Sequence, residues 1–239
     1  MPKPFTQWTV LPHGKLRQID DNILTVVGTL EMPLVALQRR MTVIRLNDGR
    51  LVIFSAIALD EDEMKALEAW GRPTFLIVPN DQHRLDAKIW LDRYPDMLVV
   101  APEGAREKVQ EVVAVHSVEP QFEDPNLEYI VVPGTRQREA ALLHRSPRGA
   151  TLILNDVVGN IRGEGGFGGW VLRMAGFAGD NAQVPRVVRM AMVHDKHALR
   201  VQLQTWSHID ALRRVLVSHG DPIEDKPRQT LRELAAALH

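Results

Sequence analysis

An apolar run, Thr74 to Val78, breaks off abruptly at Pro79-Asn80-Asp81-Gln82-His83-Arg84-Leu85-Asp86. From His83 onward, His83, Ala87, Trp90 and Tyr94 fall at helical spacing, and Pro95 ends the pattern. The stretch reads as a buried strand passing into a helix, with a cluster of polar side chains at the junction. A metal site is commonly built at such a place, so this motif constrains both architecture and chemistry. His83 and Asp86 are three apart and share a face if the helix has begun, which suits them to one ion or to each other. The alternative is a purely local role, with Asp86 at the helix N-terminus and His83 as its capping partner.

Two later segments repeat the theme of an apolar run ending in a candidate ligand: Leu152-Ile153-Leu154-Asn155-Asp156 and Val217-Ser218-His219-Gly220-Asp221-Pro222. A carboxylate after an apolar strand can bridge to a metal or cap the next turn. His219 can ligate, or can meet the negative end of the amphipathic helix expected over Ser207 to Val217.

The remaining pattern is mixed. Met41 to Leu46 and Leu51 to Phe54 flank the turn Asn47-Asp48-Gly49-Arg50 and predict a β-hairpin, preceded by a short strand at Leu24 to Val27. Asp60 is suited to cap a helix carrying Met64, Leu67 and Trp70. Leu98 to Ala101 is another strand, and Pro102-Glu103 opens a helix. Glu128 to Val132, Ala140 to Leu143 and Ala150 to Leu154 form a second strand group, followed by helices within Pro185 to His194, Ser207 to Val217 and Thr230 to Leu238. No linker or solenoid repeat interrupts the chain, so residues 1–239 are expected to form one α+β domain of two sheets with outer helices.

Composition narrows the function classes. The 239 residues contain no cysteine, which excludes disulfides, thiolate ligands and cysteine nucleophiles; a metal must then use His, Asp, Glu or backbone oxygen. A formal charge of -1 supplies no field toward nucleic acid or an anionic membrane, so neither is expected as a partner. No apolar stretch approaches the ~18 residues of a membrane span and no leader pattern is present, so the cytoplasm is the expected location. Gly163-Glu164-Gly165-Gly166-Phe167-Gly168 fits G-x-G-x-x-G, but it does not directly follow its strand and lacks the later acidic residue of a dinucleotide fold. A flap over the site is the preferred reading of this glycine-dense stretch. Ser55 and Ser146 lack a nucleophile-elbow context. His194 and His197 read as a solvated pair at a helix start. Arg136, Arg138, Arg145 and Arg148 form a basic patch that could grip an anion or simply coat a hairpin. Trp70, Trp90, Trp170 and Trp206 suit core, pocket or interface equally, which leaves a homo-oligomer open and the small-molecule ligand unspecified.

Taken in order, the three segments resemble the metallo-β-lactamase superfamily of hydrolases. That family has a strand ending in His-x-His-x-Asp-His, a later strand ending in Asp, and a final His-Gly. The resemblance runs from about Leu24 to Pro222. Laid on the first motif, Asp81 takes the first His position, His83 the second, Leu85 the Asp and Asp86 the last His, so one of four matches. Pro133-Gly134-Thr135 lacks the histidine that follows Pro-Gly in the family, whereas Asp156 and His219-Gly220 look like the bridging Asp and the terminal loop. The resemblance implies a four-layer αββα sandwich with a degenerate metal centre. On it, His83, Asp86, Asp156 and His219 would hold one divalent ion (Zn, Mn or Fe), or no ion at all, with Asp81, Arg136 and Arg138 nearby. The pattern is also similar to a branch in which a Pro-Asn segment with a single His replaces the His-rich motif and a Glu and a His flank the second sheet, here Glu139 and His144. Leu85 in place of Asp removes a ligand of a second metal and the base that would orient an attacking water. Two readings follow: a non-catalytic binding or assembly module, and a single-metal hydrolase of an ester, thioester, amide or phosphoester.

Overall fold

A computed structural model describes residues 3–32, 35–162 and 166–238. The α+β class expected from the sequence is observed, and the chain divides into two compact units. The first comprises Met1–Leu30 and Gln38–Pro125, the second Glu31–Leu37 and Asn126–His239.

The first unit is built on a six-stranded sheet in sequential order, β1 (Arg17–Asp20), β2 (Ile23–Met32), β3 (Val35–Arg45), β4 (Arg50–Phe54), β5 (Arg72–Ile77) and β6 (Leu98–Val100). The turn at Asn47-Asp48-Gly49 joins β3 and β4 as an antiparallel hairpin, with Val43 opposite Ile53. From β4 onward the strands are parallel. Parallel neighbours need a crossover, and α1 (Glu61–Trp70) supplies the one between β4 and β5. Asp60 caps α1 as expected, its Oδ1 accepting from Glu63 N at 3.0 Å, and Glu61, Asp62 and Glu63 lie at the positive end of the helix dipole. After β5 come α2 (Ala87–Arg93) and, beyond β6, α3 (Glu103–Gln110). Met64 and Leu67 of α1, Ile89 and Trp90 of α2 and Ala105 and Val109 of α3 pack against Ile53, Leu76 and Val99 of the strands.

The second unit holds a four-stranded sheet ordered β12-β9-β8-β7, made of β7 (Leu127–Val131), β8 (Ala140–Ser146), β9 (Gly149–Leu154) and β12 (Leu212–Val217). Strands β7, β8 and β9 are antiparallel, while β12 joins β9 in parallel. Between them lie the short pair β10 (Ile161–Arg162) and β11 (Ala178–Gly179) with α4 (Gly166–Ala175), then α5 (Arg186–Ala191) and α6 (Lys196–Ser207); α7 (Pro227–Ala236) follows β12. Leu199, Leu203 and Trp206 of α6 and Leu231 and Leu234 of α7 cover the sheet face formed by Leu143, Leu152, Leu154, Val215 and Val217.

Three expectations are corrected. Ser207 to Val217 is not a helix: Ser207 is the last residue of α6, Ala211 turns into the left-handed region (φ 52°), and β12 begins at Leu212. Ile209, Leu212 and Val215 do repeat at helical spacing, but parallel pairing to β9, buried from Ala150 to Leu154, overrides that pattern. Helix α2 starts at Ala87, so His83 and Asp86 lie in the turn before it and share no helical face. The expected glycine flap falls partly on residues 163–165, outside the described residues; Gly166 onward is helical as α4. Trp90 and Trp206 are core residues, whereas Trp170 is 57% exposed. Among the described residues, no helix is long and apolar enough to cross a membrane.

Candidate metal centre

In the first unit the polar junction forms at the carboxyl ends of β4 and β5. Phe54 pairs with Ile77, which brings the next residues, Ser55 and Val78, level. Asn80, fully buried, then closes a turn by accepting at its Oδ1 from Gln82 N at 2.8 Å and His83 N at 3.0 Å. An Asn side chain that mimics a backbone turn in this way delays the helix. The turn carries a half-buried His83, whose Nδ1 lies 2.8 Å from Ser55 Oγ. Ser55 has φ 57°, a left-handed conformation that a non-glycine residue holds only when its surroundings enforce it. A hydroxyl bound at Nδ1 fixes the orientation of the ring.

Asp86 is 1% exposed and both of its oxygens are engaged inside this unit: Oδ1 accepts from Ala58 N at 3.0 Å, and Oδ2 pairs with Arg39 Nη1. Burial pushes the Asp86 carboxyl above the ordinary carboxylate range, while Arg39 and the Ala58 N–H pull in the opposite direction without cancelling it. Asp86, expected as a metal ligand, is therefore placed as the partner of Arg39. Asp81 and Leu85 are also buried in this turn.

In the second unit the parallel register of β9 and β12 builds the site. Leu154 pairs with Val217, so Asn155 stands beside Ser218 and Asp156 beside His219. Ser218 Oγ donates to Asn155 Oδ1, and His219 Nε2 lies 3.0 Å from Asp156 Oδ1. The antiparallel register of β8 and β9, continued past Leu142 opposite Ile153, places Glu139 beside Asp156. Glu139 is fully buried, and its Oε1 accepts from the main-chain N–H of Asp156 at 2.6 Å and of Val157 at 3.1 Å. The loop after β12 is held by main chain: Asn160 N donates to His219 O at 3.0 Å and Asp221 N to Asn160 O at 3.0 Å. Gly220 permits this approach, because it has φ 102° and a Cβ there would sit 2.2 Å from the Asn160 carbonyl. The edge of Phe177 meets the His219 ring at 5.6 Å between centroids.

The other expected site residues lie elsewhere. His144 pairs with Thr151 in mid-sheet, five rungs from Asp156, or about 17 Å at ~3.4 Å per residue. Glu139 and His144, expected as the Glu and His flanking the second sheet, thus lie just before β8 and within it. Arg136 Nη2 donates to His194 Nδ1 at 2.9 Å, and Arg138 Nη1 lies 3.4 Å from Ala191 O, so this turn is tied to the segment after α5. Thr135, at the Pro-Gly position without a histidine, is buried and its hydroxyl donates to Val132 O at 2.7 Å.

The Asp156–His219 pair suits a metal. Two ligand atoms about 2.0–2.1 Å from a tetrahedral ion lie roughly 3.3 Å apart, close to the distance found between them. One carboxylate and one imidazole, both more than nine-tenths buried, form a borderline oxygen and nitrogen donor set.

Solved structures share this architecture across both units. A metallo-β-lactamase from Erythrobacter litoralis, solved with β-mercaptoethanol in its active site, is similar with a TM-score of 0.60 over 92% of this chain and 95% of its own, at 12% identity. A metallo-β-lactamase from Pseudomonas aeruginosa in its mono-zinc form gives 0.62 over 95% and 96%, at 8% identity. The chain has the metallo-β-lactamase fold. No protein-family model matches the sequence, and no curated protein matches it. Within the metallo-β-lactamase fold, Asp156 and His219 stand at the ends of the adjacent strands β9 and β12. Ser55, Arg39, Asn155 and Ser218 were not foreseen as parts of the site. Ser55 was considered only as a nucleophile; that it follows β4 as Val78 follows β5 becomes informative once the two strands are paired.

Proposed function

We propose that this metallo-β-lactamase-fold chain binds one divalent metal ion, zinc, manganese or iron, through Asp156 and His219, and that it is a single-metal hydrolase. The observation that carries the reading is the buried Asp156–His219 pair, 3.0 Å apart at the ends of two parallel strands. A bound divalent ion would polarise an acyl or phosphoryl oxygen and lower the pKa of water. The chain's own contribution is to hold donors in place: Glu139 fixes the backbone at Asp156, and the edge of Phe177 limits the freedom of His219. The substrate class is an ester, thioester, amide or phosphoester.

A second reading, a non-catalytic binding module, is favoured by Leu85 and Asp86. Leu85 offers no donor, and both oxygens of Asp86 are spent on Ala58 and Arg39.

Elemental analysis of protein purified without chelator separates the two. One metal per chain is expected in the unmodified protein. His219→Ala and Asp156→Ala should each deplete it by about tenfold or more, within the range for losing ligand-shell contacts. Absence of stoichiometric metal even after reconstitution would sink the metal site. Metal retained without turnover of chromogenic esters, thioesters or phosphodiesters would select the second reading.

A further inference from the structure

The second unit contains a cleft of about 540 Å³, a volume suited to a small ligand. Arg162 of β10 and Arg186 and Arg189 of α5 line it, the last two three apart and so on one face of the helix. Asp180 and the segment from Glu224 to Glu233 supply carboxylates. Two of these are already engaged, Glu224 with Arg214 Nε at 3.5 Å and Glu233 with Gln229 Nε2 at 2.8 Å. Asp180, Asp225 and the three cleft arginines make no side-chain hydrogen bond or ion pair with any described residue. Charges of both signs therefore line one small cavity without neutralising one another.

We propose that this cleft binds a small zwitterion, a free α-amino acid or short peptide. Its carboxylate would meet the guanidiniums of Arg186, Arg189 and Arg162, which take carboxylates in paired hydrogen bonds. Its ammonium group would meet Asp180 or Asp225. Asn160 also lines the cleft, and its main chain is bonded to His219 and Asp221. A ligand seated there would brace the loop that carries His219, although the site stands on its own residues and does not depend on metal at Asp156.

The test uses the full chain and ligand-observed NMR with each proteinogenic L-amino acid and with glycylglycine. At least one should bind. Its N-acetyl derivative, which lacks the cation, and its amide, which lacks the anion, should each bind about tenfold more weakly. The double variant R186A/R189A should lose the interaction, and Asp225→Asn should weaken it. Failure of every amino acid and of glycylglycine to bind would overturn the proposal. So would equal binding of the N-acetyl derivative, which would mark a plain anion site, or binding undiminished in R186A/R189A. The derivative series is read on the unmodified protein and does not depend on the folding of any variant.

Discussion

Asp86→Ala is expected to destabilise the protein by about 3–5 kcal/mol, measured as a fall in urea stability followed by tryptophan fluorescence. The substitution strands Arg39, whose side chain is 9% exposed and whose Nε and Nη2 make no hydrogen bond, so the pair with Asp86 is the interaction that compensates its buried charge. It also removes the acceptor of Ala58 N. A buried pair deleted on one side leaves an uncompensated charge, whereas replacing both partners with apolar residues is often neutral. Arg39→Met combined with Asp86→Leu should therefore lose less stability than Asp86→Ala alone; a double variant that is simply additive would contradict this account. The pair also sets a pH dependence. Burial raises the folded Asp86 pKa, so between the unfolded and folded values the native state holds a proton that the unfolded chain has released, and above the folded value the carboxylate pairs with Arg39. That contribution is fully present below the unfolded value and is lost as pH rises through the folded one. The stability of the unmodified protein relative to Asp86→Asn should accordingly climb as pH falls toward the ordinary carboxylate range, and parallel curves would refute the assignment.

The second large effect is expected at Glu139. Alanine there leaves the N–H groups of Asp156 and Val157 without their carboxylate acceptor in a fully buried setting, at about 1–3 kcal/mol for each group. Glu139→Ala should thus lose roughly 2–6 kcal/mol of stability in chemical unfolding. Gln keeps an acceptor oxygen, so Glu139→Gln should recover more than half of the loss. Metal affinity, measured by competition with a chromogenic chelator, should fall with Glu139→Ala even where the variant remains folded, because the carboxylate holds the backbone from which Asp156 projects. Unchanged affinity in a folded Glu139→Ala protein would remove Glu139 from the site.

Much of the architecture was legible because strand ends announce themselves. Leu152 to Asp156 and Thr74 to Asp81 each pass from buried apolar residues to polar ones within a residue or two, and both transitions mark real strand ends. Two features were hidden by competition between local and long-range forces. Ile209, Leu212 and Val215 satisfy a helical period, and pairing with β9 decided for strand. His83 and Asp86 satisfy a helical spacing, and the Asn80 side chain captured the backbone donors of Gln82 and His83 first. The site was half legible for a related reason. Asp156 and His219 meet through the register of neighbouring strands, so their order in the chain sufficed. The pairing of Asp86 with Arg39 depends on the turn before α2, and the separation of Glu139 from His144 on how far along the β8 segment each residue stands.

The loop after β12 keeps its shape through Asn160, Gly220 and Asp221 by main-chain bonds, while the His219 side chain faces Asp156 and Phe177. Chain path and donor are thus specified by separate contacts at this point. A thiol is therefore expected to replace the imidazole with the chain path retained, whereas a carboxylate would meet Asp156 in a buried setting and be opposed by its charge. A His219→Cys protein offers a direct way to retune metal preference at this loop.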